Sequence, residues 1–371
     1  MVRSRILHNE RGAALIITVM AMVLMLTIIV EFAYHTRVDV SMVSNYRNAQ
    51  QGRYFAEVGI EAAGILLLSD LERDQADGQM IDYYAYDMSG GDNGQNGGMG
   101  GMGGMAGFAD MMGPQLAQGG LEEIWSLMRP ETPAIPLADT GAMVKLTIED
   151  EASKVNLNQL DIPRGLEMDS PLAQRFINFF IACGLDESEA RQLIPALLDW
   201  IDRDDDVTSG GAESQHYQRL DPPYMTRNRP LVSLEELRLV EGMTPEIWGK
   251  ISPYVTVFPR EQAGLSKINL NTASAPVLQF LHPDLDETAA QALIEERSLE
   301  PFTSMSEVQQ VLSAYAAGDI FNDILGSIDL RSDHFSVRSS AVVNGVEYTV
   351  YAILKRDRNQ REIQPLYWRS E

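Results

Sequence analysis

Apolar and polar positions alternate along the chain with distinct periods, and each period predicts a different kind of element. From Ala13 to Val30 eighteen consecutive residues carry no charge. As a helix they would measure about 27 Å, close to the hydrocarbon thickness of a bilayer. The apolar run does not close with a turn. It passes into "EFAYHTRVDVSMVSNYRNAQQGRYFAEVGIEAAGILLLSDLER", where Phe32, Val40, Val43, Tyr46, Phe55, Val58, Ala62 and Leu66 recur at helical intervals and no proline intervenes. The pattern predicts one helix over 13–71, on the order of 85 Å long. A signal removed after export needs no such continuation.

Strand patterns flank the middle of the chain. Met143, Leu146 and Ile148 lie near strand spacing. "HFSVRSSAVVNGVEYTVYAILKRD" reads as strands over 335–343 and 346–356 around Asn344-Gly345, a strong type I′ hairpin signal. Between them the pattern is almost wholly helical, so a small sheet packed on the N-terminal helix is expected, with a helical domain inserted between its strands. That domain contains an echo, "SKVNLNQL" at 153–160 and "SKINLNTA" at 266–273, which predicts two related modules. Ser274 and Asp286 have the character of helix N-caps.

The 371 residues carry a formal charge of −24, which opposes nonspecific contact with nucleic acid or anionic lipid. Cys183, the single cysteine, excludes an internal disulfide framework and, in "FINFFIACGL", is expected to be a buried, inert thiol. Residues 89–120, rich in glycine and methionine, read as a solvent-exposed insertion. Arg3, Arg5 and Arg11 precede the apolar run against one acid, Glu10, which orients the N-terminus to the cytoplasm by the positive-inside bias.

The most chemically loaded stretch is "DWIDRDDDVTSGGAE". Counted from Asp202, carboxylates fall at positions 1, 3, 5 and 12 (Asp202, Asp204, Asp206 and Glu213), the spacing of an EF-hand calcium loop, and Thr208 adds an oxygen donor. Val207 departs from that pattern, because position 6 of an EF-hand takes glycine for its sharp turn. Calcium and a merely solvated acidic loop both remain open. No serine or cysteine nucleophile accompanies His216 and the aspartates in a recognisable motif, so no enzyme is expected.

Gly12-Ala13, between a basic leader and an unbroken apolar helix, resembles the cleavage site of type IV pilin-like precursors. The resemblance implies that prepilin peptidase cuts after Gly12 and methylates Ala13. Most pilins carry glutamate at the fifth mature position to neutralise a neighbouring subunit's amine; here that position is Ile17, so this subunit is expected to have no neighbour above it. The alternative is an ordinary single-pass anchor. "INLNTASAPVLQFLHPDLDETAAQALIEERS" resembles helix-hairpin-helix modules of competence-type DNA-binding proteins, but Asp284 and Asp286 stand where the phosphate-contacting glycines would be.

From the leader through "LLDWIDRDDD", "PLVSLEELRLVEGM" and "YVTVFP" to the C-terminal strands, the chain is similar to the minor pseudopilin K family of type II secretion. The resemblance implies an α+β architecture: a type IV pilin-like fold, with a long N-terminal helix on a small antiparallel sheet, carrying a large helical insertion of two modules resembling sterile-alpha-motif or helix-hairpin-helix units. The expected divisions are a cleaved leader 1–12, the helix 13–71, a pilin-like region 72–152, modules over 153–265 and 266–330, and C-terminal strands over 331–371. The implied role is without catalysis: an inner-membrane subunit with a periplasmic head, at the pseudopilus tip with minor pseudopilins I and J, initiating assembly. A membrane-anchored helical adaptor of another pilus or competence system is the alternative.

Overall fold

One unbroken helix, α1 (Glu10–Gln75), opens the structure and extends a few residues beyond both predicted ends. The computed structural model describes residues 10–75, 125, 128–137, 140–160, 168–260, 266–315 and 320–370. The glycine- and methionine-rich stretch 89–120 and most of the expected leader lie outside the described residues. Gly12 and Ala13 belong to the first turn of α1, but their side chains also lie outside them.

The predicted stripe on α1 divides into two environments. Residues 14–47 are exposed throughout, so Phe32, Val40, Val43 and Tyr46 are not buried by any described part of the head. From Asn48 onward the helix lies on a sheet and buries Ala56, Ile60, Ala63, Leu67 and Leu71.

The strands are β1 (Ile135–Leu137), β2 (Ala142–Asp150), the two-residue β3 (Val155–Asn156), β4 (Val255–Thr256), β5 (Ile268–Asn269) and β6 (Ile328–Asp329), then β7 (His334–Val343), β8 (Val346–Asp357) and β9 (Glu362–Ser370). Five of them form one antiparallel sheet in the order β1-β2-β7-β8-β9. Alternation decides its faces: Val144, Leu146 and Ile148 of β2 and Phe335, Val337 and Ala341 of β7 join the helix-side core. Asn344 and Gly345 both take positive φ, 50° and 82°, as a type I′ turn requires. β9 was not foreseen. It carries Pro365 at a register shift against β8, a residue tolerated on an edge strand but contrary to a strand signal.

Small residues bring α1 close to the sheet. A Cβ at Gly59 would come within 2.1 Å of Ser339 Oγ, and one at Gly52 within 3.2 Å of Tyr348 Cβ. At the far end of this contact Asp70 meets Arg356 Nη1 at 2.7 Å, both buried. Arg356 also donates to the carbonyls of Leu67 and Ser332 at 3.1 and 2.9 Å.

The chain leaves the sheet after Asp150 and returns at His334, and the helices between them form the expected insertion. The first copy of the repeat holds α2 (Pro171–Ala182), α3 (Glu187–Ile201), the short α4 (Ser214–Tyr217) and α5 (Pro245–Ile251). The second holds α6 (Ala275–Gln279), α7 (Glu287–Leu299), α8 (Met305–Tyr315) and α9 (Ile320–Ile324). Asp286 caps α7 by accepting from the Ala289 amide, whereas Ser274 occupies the N-cap of α6 without a capping hydrogen bond. Both copies share one core, in which Phe280 sits edge-on to Phe176 and Phe179.

The sequence echo has a structural meaning. Asn156 accepts from the Asn158 amide, and Asn269 from the Asn271 amide. Asn158 then binds both the amide and carbonyl of Leu231 and the carbonyl of Val257; Asn271 binds the Phe302 amide and the carbonyls of Phe302 and Leu330. Each copy is closed by a two-residue parallel pair, β3 with β4 and β5 with β6. The repeat is thus a polar clasp that satisfies buried backbone groups far apart in sequence.

Two substitutions test the seating of α1. Arg356→Met removes the guanidinium that donates to buried Asp70 and to the Leu67 and Ser332 carbonyls, and should destabilise by about 3–5 kcal/mol. Gly59→Val should cost about 1–3 kcal/mol through overpacking against Ser339. Urea titration of the purified chain measures both; unchanged midpoints would contradict this packing.

Candidate functional site

Relative to the second copy, the first is interrupted after its long helix. In the second copy residues 300–301 separate α7 from Phe302; in the first, residues 202–230 separate α3 from Leu231. The acidic loop lies in this added segment.

An aromatic cluster fixes the segment to the core. Tyr217 stacks on Tyr224 at 5.2 Å and meets Trp200 edge-on at 5.2 Å. Tyr217 Oη accepts from the Glu241 amide, and Tyr224 Oη donates to the Leu239 carbonyl. Asn228 donates through Nδ2 to the Asp204 carbonyl and to Asp205 Oδ1.

The loop brings together Asp199, Asp202 and Glu213, whose ligand oxygens lie within 4.8 Å of one another. Asp199 is 0% exposed and Glu213 2%. The EF-hand spacing therefore does not gather its five residues. Asp204 and Asp206 are exposed, and Asp204 Oδ1 accepts from the Asp206 amide. Thr208 reaches the cluster through its backbone amide, which donates to Asp199 at 3.1 Å.

Asp199 was missed because the count began at Asp202. A signal was present: Asp199 is an acid inside the apolar run "LIPALLDWI", three residues before Asp202 and so on the same side of the final helical turn. Gly211 explains the glycines that depart from the EF-hand pattern. A Cβ there would fall 2.2 Å from Asp199 Oδ2 and 2.9 Å from the Pro195 carbonyl, so only glycine permits the approach.

Burial raises the Glu213 pKa to about 7, with further upward pressure from Asp199, Asp202 and Asp205. Burial also raises Asp199. Glu213 Oε2 accepts from the Ser214 amide, while Oε1 is buried with no hydrogen-bond partner among the described residues. An orphaned, desolvated carboxylate oxygen facing two more carboxylates is a donor set that suits a hard divalent cation.

The remaining candidates occupy ordinary environments. Burial pushes the Cys183 thiol up to about 12, which leaves it un-ionised and unreactive near neutrality. His216 Nε2 lies 2.9 Å from Glu241 on the surface. At the hairpin before α7, the helix N-terminus is already occupied by Asp286.

The family model for type II secretion system (T2SS) protein K matches residues 153–260 and 268–325, the two copies of the repeat. Both copies of the repeat thus match the type II secretion system protein K family. The chain is 28% identical to the Pseudomonas aeruginosa protein K over 250 residues, covering 65% of this chain and 71% of that protein. It is 24% identical to the Pectobacterium carotovorum subsp. carotovorum protein K over 310 residues, covering 81% and 80%. A chain of the GspK-GspI-GspJ crystal structure from enterotoxigenic Escherichia coli shares the fold, with a TM-score of 0.56 at 21% identity, covering 81% of this chain and 99% of that one. These likenesses make it a component of type II secretion, and among the described residues one helix, near the N-terminus, is long and apolar enough to cross a membrane.

The cluster sets a pH dependence. Without a divalent cation, the folded chain retains the Glu213 proton that the unfolded chain releases. Stability should therefore fall as pH rises from about 4.5 to about 7. Thermal melting in chelator across that range measures the slope, and Glu213→Gln should flatten it.

Proposed function

We propose that this protein is the minor pseudopilin at the tip of a type II secretion pseudopilus. Its N-terminus would be cytoplasmic, its helix anchored in the inner membrane and its head periplasmic. There it would associate with minor pseudopilins I and J, initiate assembly and support export of folded proteins without catalysing a reaction. The observation that carries this reading is the division of α1. Residues 14–47 project bare and largely apolar from the head, while the remainder is committed to the sheet. A bare apolar helix of that length suits lipid first and the helices of neighbouring subunits afterwards.

Two further features support the tip position. Ile17 supplies no carboxylate for a neighbouring subunit's amine. The helical insertion adds bulk against the sheet face opposite α1, where Tyr351, Ile353 and Tyr367 join its core. The leader would be removed after Gly12 by prepilin peptidase and Ala13 methylated. A fold of the pilin type, with modules of the sterile-alpha-motif type, is part of the same proposal.

Asp199, Asp202 and Glu213 would hold calcium, with Thr208 ordering Asp199 through its amide. The ion would neutralise three converging carboxylates and fasten the added loop to α3. Asp204 and Asp206 have no place in that set.

Co-purification of the full chain with pseudopilins I and J of the same system tests the assignment. A stable ternary complex is expected; failure to bind either partner in calcium would sink it. Mass spectrometry of the mature N-terminus should find methylated Ala13 only in the presence of prepilin peptidase. Calcium at about a hundredfold above its dissociation constant should stabilise the chain by about 2.7 kcal/mol, and Glu213→Gln should abolish most of that gain.

A further inference from the structure

A cleft of about 540 Å³ opens where the end of the first repeat meets the sheet. Its walls include Phe258, Arg260, His334, Lys355, Arg356 and Leu366. In a chain of formal charge −24 this is an unusual gathering of cations.

Their partners show which charges are already satisfied. Arg356 is paired with Asp70, and Arg358, also on the wall, with Asp333. The carboxylate of Asp357 accepts the amides of Asn359 and Gln360 within its own turn, at 2.8 and 3.0 Å. Arg260 and Lys355 make no ion pair within 4.0 Å among the described residues, although Glu236 acts electrostatically on Arg260 and Asp357, which also lines the cleft, on Lys355. Two buried donors add to them: Arg260 Nε and Arg356 Nε have no acceptor among the described residues. Arg356 is only 1% exposed.

The unpaired guanidinium is held in place. Arg260 lies 4.7 Å over the Phe258 ring and 5.5 Å from that of Tyr367, and it donates through Nη2 to the Val232 carbonyl. Lys355 stands opposite His334 in the β7–β8 register. Burial, reinforced by Lys355, keeps His334 below its ordinary range despite Asp333. An oriented guanidinium with a nearby ammonium recognises an oxyanion.

The cleft is much larger than an inorganic oxyanion, and Phe258, Pro259 and Leu366 give it apolar walls. Those dimensions suit an anion borne on a chain with apolar neighbours. We propose that this cleft binds a carboxylate of an acidic, leucine-bearing peptide segment of a protein partner, seated between Arg260 and Lys355. The cleft's chemistry is independent of the secretion role and of the calcium cluster.

The test uses the full chain in detergent micelles and a fluorescein-labelled hexapeptide of alternating leucine and glutamate, read by fluorescence anisotropy. The glutamine version of the peptide should bind at least about tenfold more weakly, as charge-assisted hydrogen bonds are lost. Lys355→Gln should weaken the glutamate peptide to a similar degree with the melting temperature unchanged, and Arg260→Lys should retain part of the binding. Equal binding of the two peptides, no binding of the glutamate peptide, or full affinity in Lys355→Gln would overturn the proposal. Displacement by inorganic phosphate as tight as the peptide itself would also overturn it, by showing a site for small anions only.

Discussion

A continuous line of buried polar contacts joins the anchoring helix to the inserted domain, and the head depends on it. Asp70 of α1 pairs with Arg356 of β8, Arg356 donates to the Ser332 carbonyl, and Ser332 Oγ donates to Asp150 at 2.6 Å. Asp150 also accepts from Thr272 Oγ1, Asn269 Nδ2 and the Ala152 amide. Burial outweighs these donors and raises the Asp150 pKa. Desolvated charges of this kind persist only where several partners converge, because an unpaired one costs several kcal/mol. The contacts lie where the insertion leaves the sheet, after Asp150, and where it returns, before His334. Glu151 ties the same junction to the first repeat through Thr256, while Lys154 pairs with Glu149 and Glu151. An apolar junction would hold the two layers together but would fix their mutual orientation less specifically.

The insertion itself is economical at its centre and elaborated at its edge. Its two asparagine clasps solve one problem twice, satisfying backbone groups of a loop and a returning strand with a single buried amide. The second copy does so with almost nothing between its long helix and Phe302. The first interposes residues 202–230, and ordering a segment of that length costs roughly 1–2 kcal/mol per residue. Trp200, Tyr217 and Tyr224 recover part of this by burial. Three carboxylates drawn together at the root of the segment work against it. That opposition supports the cation proposed there, toward which Glu213 offers a buried oxygen that has no hydrogen-bond partner among the described residues.

What the sequence revealed was mostly local. An uninterrupted apolar period specified α1 to within a few residues, Asn344-Gly345 specified its hairpin, and Asp286 its cap, because each is decided by neighbours a few positions apart. The inserted topology followed from where strand patterns stopped and resumed. The parallel pairs did not, since each is two residues long and joins Val155 to Val255 or Ile268 to Ile328. The asparagine echo was visible as a repeat, but its role depends on carbonyls up to 103 residues away. At the acidic loop a linear count favoured Asp204 and Asp206, whereas the backbone turned them outward and used the helix-borne Asp199. Spacing alone cannot register that a helix presents its last acids three residues apart on one side.

The division of α1 constrains any account of the molecule. The helix-side core of the head uses α1 only from Ala56 to Leu67, with Asp70 and Leu71 beyond it. No described residue of the head covers residues 14–47, whose Leu, Ile, Val and Met side chains would be costly in water. A solitary anchor accounts for the uncharged stretch up to Val30, but not for the exposed apolar positions Val40, Met42, Val43 and Tyr46, which lie beyond the hydrocarbon length. In the proposed role, packing against other helices would cover both stretches once the subunit leaves the bilayer. That is what distinguishes a filament subunit from a tethered domain. Any thrust delivered along such a helix reaches the head through the close contact at Gly52 and Gly59 and the buried pair at Asp70 and Arg356, which is where rigidity is needed.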